Sequence, residues 1–471
     1  MRRTPLYISL ALLVSAIALT LSLTSRNIQP VAAAAGASQD YVLTASQWDS
    51  KQNLAVQNAG GTVRFSSQKG GIAVVSSANP TFLSQVLASG AIAGGAADEV
   101  VQWQSPVHEV MMEEQAVTPG DETFINAQWN VRAMECPAAW AAGYTGQGVR
   151  VAVIDGGIWD THIDLVGQVD VARSASFVPG FAFNQDVGTF WHGTHVAGIV
   201  AAKDNAIGTI GVAPGATIIG VKALHNGSGS FGAVISAILY ASTPISEGGA
   251  GADIINMSLG AVFPKGAGPG TGQLIGALNR AVNYAGGNNV LVISAAGNEG
   301  IDLDHSGSYT SVPAMSGGGI AVSATGPEGF AVGYPNGATN FRAPASYTNY
   351  GHSIINVAAP GGDFRLPGNA VCSLPRVPSG TIVTNCWVFD MVLSTSRGSG
   401  ASTTSYTWAA GTSMAAPAAA GVAALIKQRF PGISVGALKS KLASSADDEG
   451  DKGSDAFYGR GFVNARRAVT E

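Results

Sequence analysis

Apolar residues in this chain come in short blocks, and the period inside the blocks changes along the sequence. Between residues 40 and 104 the blocks are brief. Residues 41–44, 61–65, 71–75 and 99–103 read as strands. Over residues 46–58, Trp48, Leu54, Ala55 and Val56 supply the apolar surface of a helix, with Ser46 as candidate N-cap. Asn79-Pro80 opens a second helix over residues 80–90. The order β-α-β-β-α-β is that of the split βαβ, ferredoxin-like arrangement, so a small α+β unit is expected here.

Beyond residue 123 the blocks lengthen and alternate. Apolar strands are expected at 150–154, 217–222, 253–257, 290–295, 320–324 and 354–358. Helical patterns begin at His192 and Ser413 and cover 235–241, 273–285 and 435–443, the last of them plain packing. This alternation predicts a doubly wound α/β domain over residues 123–471 with a mostly parallel sheet. Residues 364–406 read as a long surface loop. Residues 105–122 carry Pro106, Glu109, Glu113, Glu114 and Pro119-Gly120, and read as an exposed linker and a zone of cleavage.

The N-terminus reads differently. Arg2 and Arg3 precede an apolar run over residues 6–23, and Ala32 to Ala35 then offer small residues for cleavage. Residues 1–35 are therefore expected to be a secretory signal peptide, the alternative being an uncleaved membrane anchor. Hydrophobic residues make up 46% of the chain and charged residues 12%, enough for a large core and too few charges for a disordered chain. The net charge of −5 comes without a basic cluster past the N-terminus, which argues against a nucleic-acid partner. Export permits a disulfide. Of the three cysteines, Cys372 and Cys386 enclose a short loop and are the expected pair, leaving Cys136 as a small buried residue.

Three stretches carry chemistry. Val151-Ala-Val-Ile ends in Asp155 before a glycine pair, at the C-terminal edge of an expected strand, where α/β sheets gather ligands. His192 opens a helical apolar run. Ser413 follows Gly411-Thr412 at the start of an Ala-rich helix, with Pro417 expected in its first turn. Each has an ordinary explanation as a cap or a satisfied side chain. Together an Asp, a His and a Ser at element ends are the parts of a charge-oriented nucleophile. The i, i+3 pair His192 and His195 lacks the His-Glu-x-x-His order of a zinc protease.

Val-Ile-Asp155-Gly-Gly, His192-Gly-Thr-His-Val-Ala-Gly and Gly411-Thr-Ser413-Met-Ala-Ala-Pro resemble the three signature blocks of the subtilisin-like serine peptidases, in their Asp, His, Ser order. The resemblance runs over residues 121–467. It implies a subtilisin-like fold and a serine endopeptidase acting on polypeptides, secreted and monomeric. Asp155, His192 and Ser413 would form the triad, and Asn298 in Ser294-Ala-Ala-Gly-Asn would supply the oxyanion amide. Ser258, Leu259 and Gly260 would form the substrate-binding edge. Ala295, Ala296 and Gly297, with 312–314, would line a first specificity pocket suited to apolar side chains. Asp164, Lys203, Asn205, Ile207 and Thr209 match the family's calcium site, with its N-terminal ligand not evident. Residues 40–104 stand where the family carries its inhibitory propeptide, which would act as an intramolecular inhibitor. One departure is Gly156, where the family usually has Ser or Thr; it is expected to tune Asp155 without abolishing activity. Two other readings stay in view. A catalytically dead subtilase fold could serve as a binding protein. An α/β-hydrolase is suggested only by Gly432-Ile-Ser434-Val-Gly436, which lacks the strand before the elbow and any later His, so Ser434 reads as an N-cap.

Overall fold

The computed structural model describes residues 38–104, 108–113, 122–336 and 340–471. The expected signal peptide, and the expected linker except for 108–113 and Glu122, lie outside them. The N-terminal part is β1 (Gln39–Thr44), α1 (Ser50–Asn58), β2 (Gly61–Ser67), β3 (Ile72–Ser77), α2 (Phe82–Ala88) and β4 (Gly94–Ala97). These strands make an antiparallel sheet in the order β2-β3-β1-β4, the split βαβ arrangement. Two expectations change here. α1 is capped by Asp49, not Ser46: the Asp49 side chain accepts from the Lys51 N–H, and the Gln52 side chain answers in a capping box. The fourth strand is the Gly-Ala run of β4. The stretch expected to fill that place, as β5 (Val100–Gln102), leaves its own sheet.

The linker contributes β6 (His108–Glu113). Two short helices follow, α3 (Trp129–Ala133) and α4 (Cys136–Ala141). The body then alternates: β7 (Arg150–Asp155), β8 (Ala175–Ser176), α5 (His192–Ala201), β9 (Thr217–Lys222), β10 (Ser228–Ser230), α6 (Phe231–Ser242), β11 (Ile254–Met257), β12 (Ala261–Pro264), α7 (Pro269–Gly287), β13 (Leu291–Ala295), β14 (Tyr309–Val312), β15 (Ile320–Gly326), β16 (Ala343–Pro344) and β17 (Ile355–Pro360). The main sheet runs β16-β15-β13-β11-β7-β9-β8, with β17 also on β15. Every pairing in it is parallel except that of the two-residue β16. Strands buried on both faces explain the uninterrupted apolar runs.

Residues 364–406 are not a surface loop. They fold into β18 (Val371–Pro375) and β19 (Thr381–Asn385), a hairpin joined by the expected Cys372–Cys386 disulfide, then β20 (Val392–Ser396) and the start of β21 (Ser405–Ala410), both buried throughout. The chain ends in α8 (Thr412–Arg429), α9 (Val435–Ser444) and a further helix, α10 (Ala465–Thr470). Ser434 caps α9, accepting from the Ala437 N–H. Cys136 is buried and free, and burial pushes its thiol pKa up.

The N-terminal part has a small core of its own around Leu43, Val56, Val75 and Phe82. Its other face joins the body. Val42, Ile72, Ala96 and Trp103 pack into the cluster that surrounds α6 and α7.

Candidate active site

β7 delivers Asp155 to the C-terminal edge of the main sheet, and α5 begins at His192 beside it. Asp155 is 1% exposed. Its Oδ2 lies 2.9 Å from His192 Nδ1, while Oδ1 accepts from the Gly156 N–H at 2.6 Å. A proton on Nδ1 shared with Asp155 leaves Nε2 with a lone pair. Nε2 is buried and has no hydrogen-bond partner among the described residues. The Gln104 side chain enters this couple from the N-terminal part. Its Nε2 donates to Asp155 Oδ1 at 2.9 Å and stands 2.9 Å from His192 Nδ1.

Ser413 sits in the first turn of α8, its Oγ donating to the Ser258 carbonyl at 3.4 Å. Pro417 is deeper in the helix than expected, at a position that strips the Ser413 carbonyl of its i+4 donor. The Ser258 hydroxyl replaces that donor, reaching the Ser413 carbonyl at 2.7 Å. Ser258 is in turn held by Asn256 Nδ2 at 3.0 Å. A hydroxyl from the neighbouring strand end thus steadies the turn that carries the candidate nucleophile. Asn298 Oδ1 accepts from the Thr412 N–H at 2.8 Å and its hydroxyl at 2.7 Å, which turns the amide N–H groups away from Thr412.

Leu259, Gly260, Ala295, Gly297, Asn298 and Ser413 line one small cavity, and Ala296 is buried behind it. Trp103 and Gln104 line it too, a pair that sequence reasoning did not single out. β5 pairs antiparallel with β10, and Trp103 and Gln104 follow it directly. The Gly260 N–H donates to the Trp103 carbonyl at 2.8 Å, and the Trp103 N–H to the Gly227 carbonyl at 3.0 Å. The Trp103 ring is 1% exposed, its centroid 4.9 Å from that of Phe231, and its Nε1–H bonds the Gly229 carbonyl at 2.9 Å. Past the cleft, β6 pairs antiparallel with β21, whose last residue stands three before Ser413.

The expected cation loop is folded around Asp164. Its carboxylate accepts from Asn205 Nδ2 (3.2 Å), the Thr209 N–H (3.0 Å) and the Tyr406 hydroxyl (3.0 Å). Lys203 gives its N–H to the Asp164 carbonyl, and Ile207 gives its N–H to Asn205 Oδ1. Burial raises the Asp164 pKa to about 7. Glu122, also buried, accepts from the Ala206 N–H and brings a second carboxylate that the sequence left unassigned. No group of three or more His, Cys, Asp or Glu able to hold a metal occurs among the described residues. His195 hydrogen-bonds the Thr407 carbonyl through Nε2, and burial lowers its pKa to about 3.

The family model described as the subtilase family matches residues 146–461. The chain belongs to this family. It is a subtilase, a serine endopeptidase with an α/β subtilisin fold. The subtilase is 34% identical to subtilisin DY from Bacillus licheniformis, over 70% of this chain and 93% of the relative. It is 36% identical to subtilisin Savinase from Lederbergia lenta, over 72% and 98%. The epidermin leader peptide processing serine protease from Staphylococcus aureus shares its fold, with a TM-score of 0.67 at 18% identity over 92% of this chain and 98% of that one.

Proposed function

We propose that this subtilase is a secreted endopeptidase, made as a zymogen, whose triad is Asp155, His192 and Ser413. The observation that carries the reading is the Asp155–His192 bond, which leaves Nε2 without a partner among the described residues, on a ring that touches Gln104, a residue lining the same cavity as Ser413. In the reaction, the Ser413 hydroxyl swings from the Ser258 carbonyl, attacks the scissile carbonyl carbon and gives its proton to Nε2. Asp155 steadies the imidazolium. The oxyanion takes a bond from Asn298 Nδ2, whose carbonyl end is anchored on Thr412, and a second from the Ser413 backbone N–H. The imidazolium then protonates the leaving amine, and water, activated by the same Nε2, releases the acyl group. Apolar side chains suit the pocket at Ala295–Gly297. A fluorophosphonate probe should label the processed enzyme at Ser413, and Ser413→Ala should abolish both labelling and peptide hydrolysis. An unlabelled but folded wild-type protein would leave the dead-fold reading.

Residues 40–104 fit the role of an inhibitory prosegment. Trp103 and Gln104 lie along the cleft, and the chain continues on β21 beyond it, so we place the maturation cut between Gln104 and His108. Secretion is supported by the charged and apolar N-terminal run. The processed enzyme is proposed to act as a monomer. A calcium ion suits the Asp164 loop: its ligands are oxygens, and a divalent cation would offset the burial of the Asp164 carboxylate. Asp164, Asn205 and Glu122 would hold it through side chains, with Lys203, Ile207 and Thr209 supplying carbonyls. Its role there would be structural.

A further inference from the structure

The space a side chain at position 156 would fill is taken by a second acid. A Cβ built on Gly156 would stand 2.3 Å from Asp186 Oδ2. Asp186 reaches this spot from the segment before α5, its side chain 7% exposed. Its Oδ1 accepts from the N–H groups of Val187 (2.9 Å) and Asn226 (3.1 Å), with His225 Nδ1 at 3.6 Å. Lys222 lies across the sheet: it ends β9 opposite Asp155 and is 1% exposed. Its Nζ donates to the Gly156 carbonyl and, at 2.6 Å, to the Leu224 carbonyl. Burial lowers the Lys222 pKa, against the pull of Asp186 and Asp155. Burial raises that of Asp186, which also feels both neighbours.

We propose that Asp186 and Lys222 are positioning residues for the triad, a carboxylate and an ammonium that together set the charge felt by the Asp155–His192 couple, with Gly156 kept bare to admit the carboxylate. The ammonium fixes the strand end through the Gly156 carbonyl. Alone it would also drain the field that Asp155 exerts on the imidazolium. Asp186 cancels that drain. Without Lys222, both carboxylates would press on the imidazolium with no cation to offset them. His192 meets Asp155 from β7, Phe190 from the preceding segment, the Gln104 amide and the charge of His195 from its own helix; Lys222 from β9 and Asp186 act on Asp155, with His225 beside both.

The test is the pH profile of kcat/KM for an uncharged peptide with the processed enzyme. Its acidic limb reports the loss of the proton that blocks the catalytic base. Asp186→Asn keeps an acceptor for Val187 and Asn226 but removes the charge. Its limb should move down by about half to one pH unit, the effect of one charge several ångströms away in a medium of effective dielectric near 20. Lys222→Met should move it up by a similar amount, and the double variant should return close to wild type. If Asp186→Asn lowers kcat/KM without moving the limb, or both single variants move it the same way, the proposal fails. If Lys222→Met does not fold, the direction of the Asp186→Asn shift decides alone. The idea rests on the triad reading, and the two failures are separable: fluorophosphonate labelling of Ser413 persists in these variants if only the positioning role is wrong.

Discussion

The N-terminal part and the body use the same elements with opposite economies. The body buries parallel strands on both faces and packs Ala-rich α8 against them, so nearly all of that helix is inaccessible. The N-terminal part is an antiparallel sheet with two short helices and a core of a dozen buried residues, and its second face is finished only by α6 and α7 of the body. Its last strand, β5, pairs with the body and not with its own sheet. A unit this small, which borrows its core and lends a strand, is suited to fold on its partner and to be parted from it by a single cut.

Two substitutions should split the regions most widely. Asn298→Ala acts in the body alone: kcat should fall by about 10²–10³ with KM nearly unchanged, because in the proposed mechanism its N–H donates to the oxyanion only in the transition state. Inhibition by added segment 40–104 should stay the same. Trp103→Ala acts in the segment alone. Removing this buried anchor should raise the inhibition constant of the added segment by about 10² and leave the processed enzyme's kinetics untouched. If either variant changes both quantities, the two roles are not separable.

The next effect is on pH. Asp98 of the segment accepts from the Gly232 N–H at the start of α6 at 2.9 Å, and burial raises its pKa to about 6. In the free segment it should titrate near the ordinary 3.8. The raised value means that the seated segment favours the protonated acid. Affinity should therefore be highest below about pH 4, fall by up to about 10² as the pH rises to about 6, and level off above it. Inhibition constants measured from pH 4 to 8 test this, and Asp98→Asn should flatten the curve. The smallest effect concerns the calcium ion proposed for the Asp164 loop of the body. Chelation should lower the melting temperature of the processed enzyme by several degrees by removing a ligand held only by the native state. Asp164→Ala should remove most of that sensitivity. An unchanged melting curve with EDTA would dismiss the calcium assignment.

Much of this was legible in the chain. The long apolar runs gave the parallel sheet because burial on both faces leaves no alternation to misread. Asp155, His192 and Ser413 stood out because each ends or begins an element. What escaped depends on partners distant in sequence. β4 is glycine and alanine, with no strand preference of its own, and is a strand only because β1 pairs with it. The buried ribbon of β20 and β21 hid in a stretch rich in Gly, Ser and Pro. The links between Pro417 and Ser258, and between Gly156 and Asp186, are each made by absence: a missing N–H in one case and a missing side chain in the other. Neither absence names the residue that fills it. Gln104 carried no signal at all, since nothing local says that an amide will lie against an Asp–His pair.

In the proposed maturation, the body's own serine cuts the segment whose Trp103 and Gln104 line its cavity. Wild type and Ser413→Ala, expressed in full in a host lacking other extracellular proteases, can be compared by N-terminal sequencing and intact mass. Self-cleavage predicts a wild-type body that has been cut between Gln104 and His108, and a Ser413→Ala chain in which that stretch stays whole and the segment remains attached. A Ser413→Ala chain cut at the same bond as wild type would contradict it.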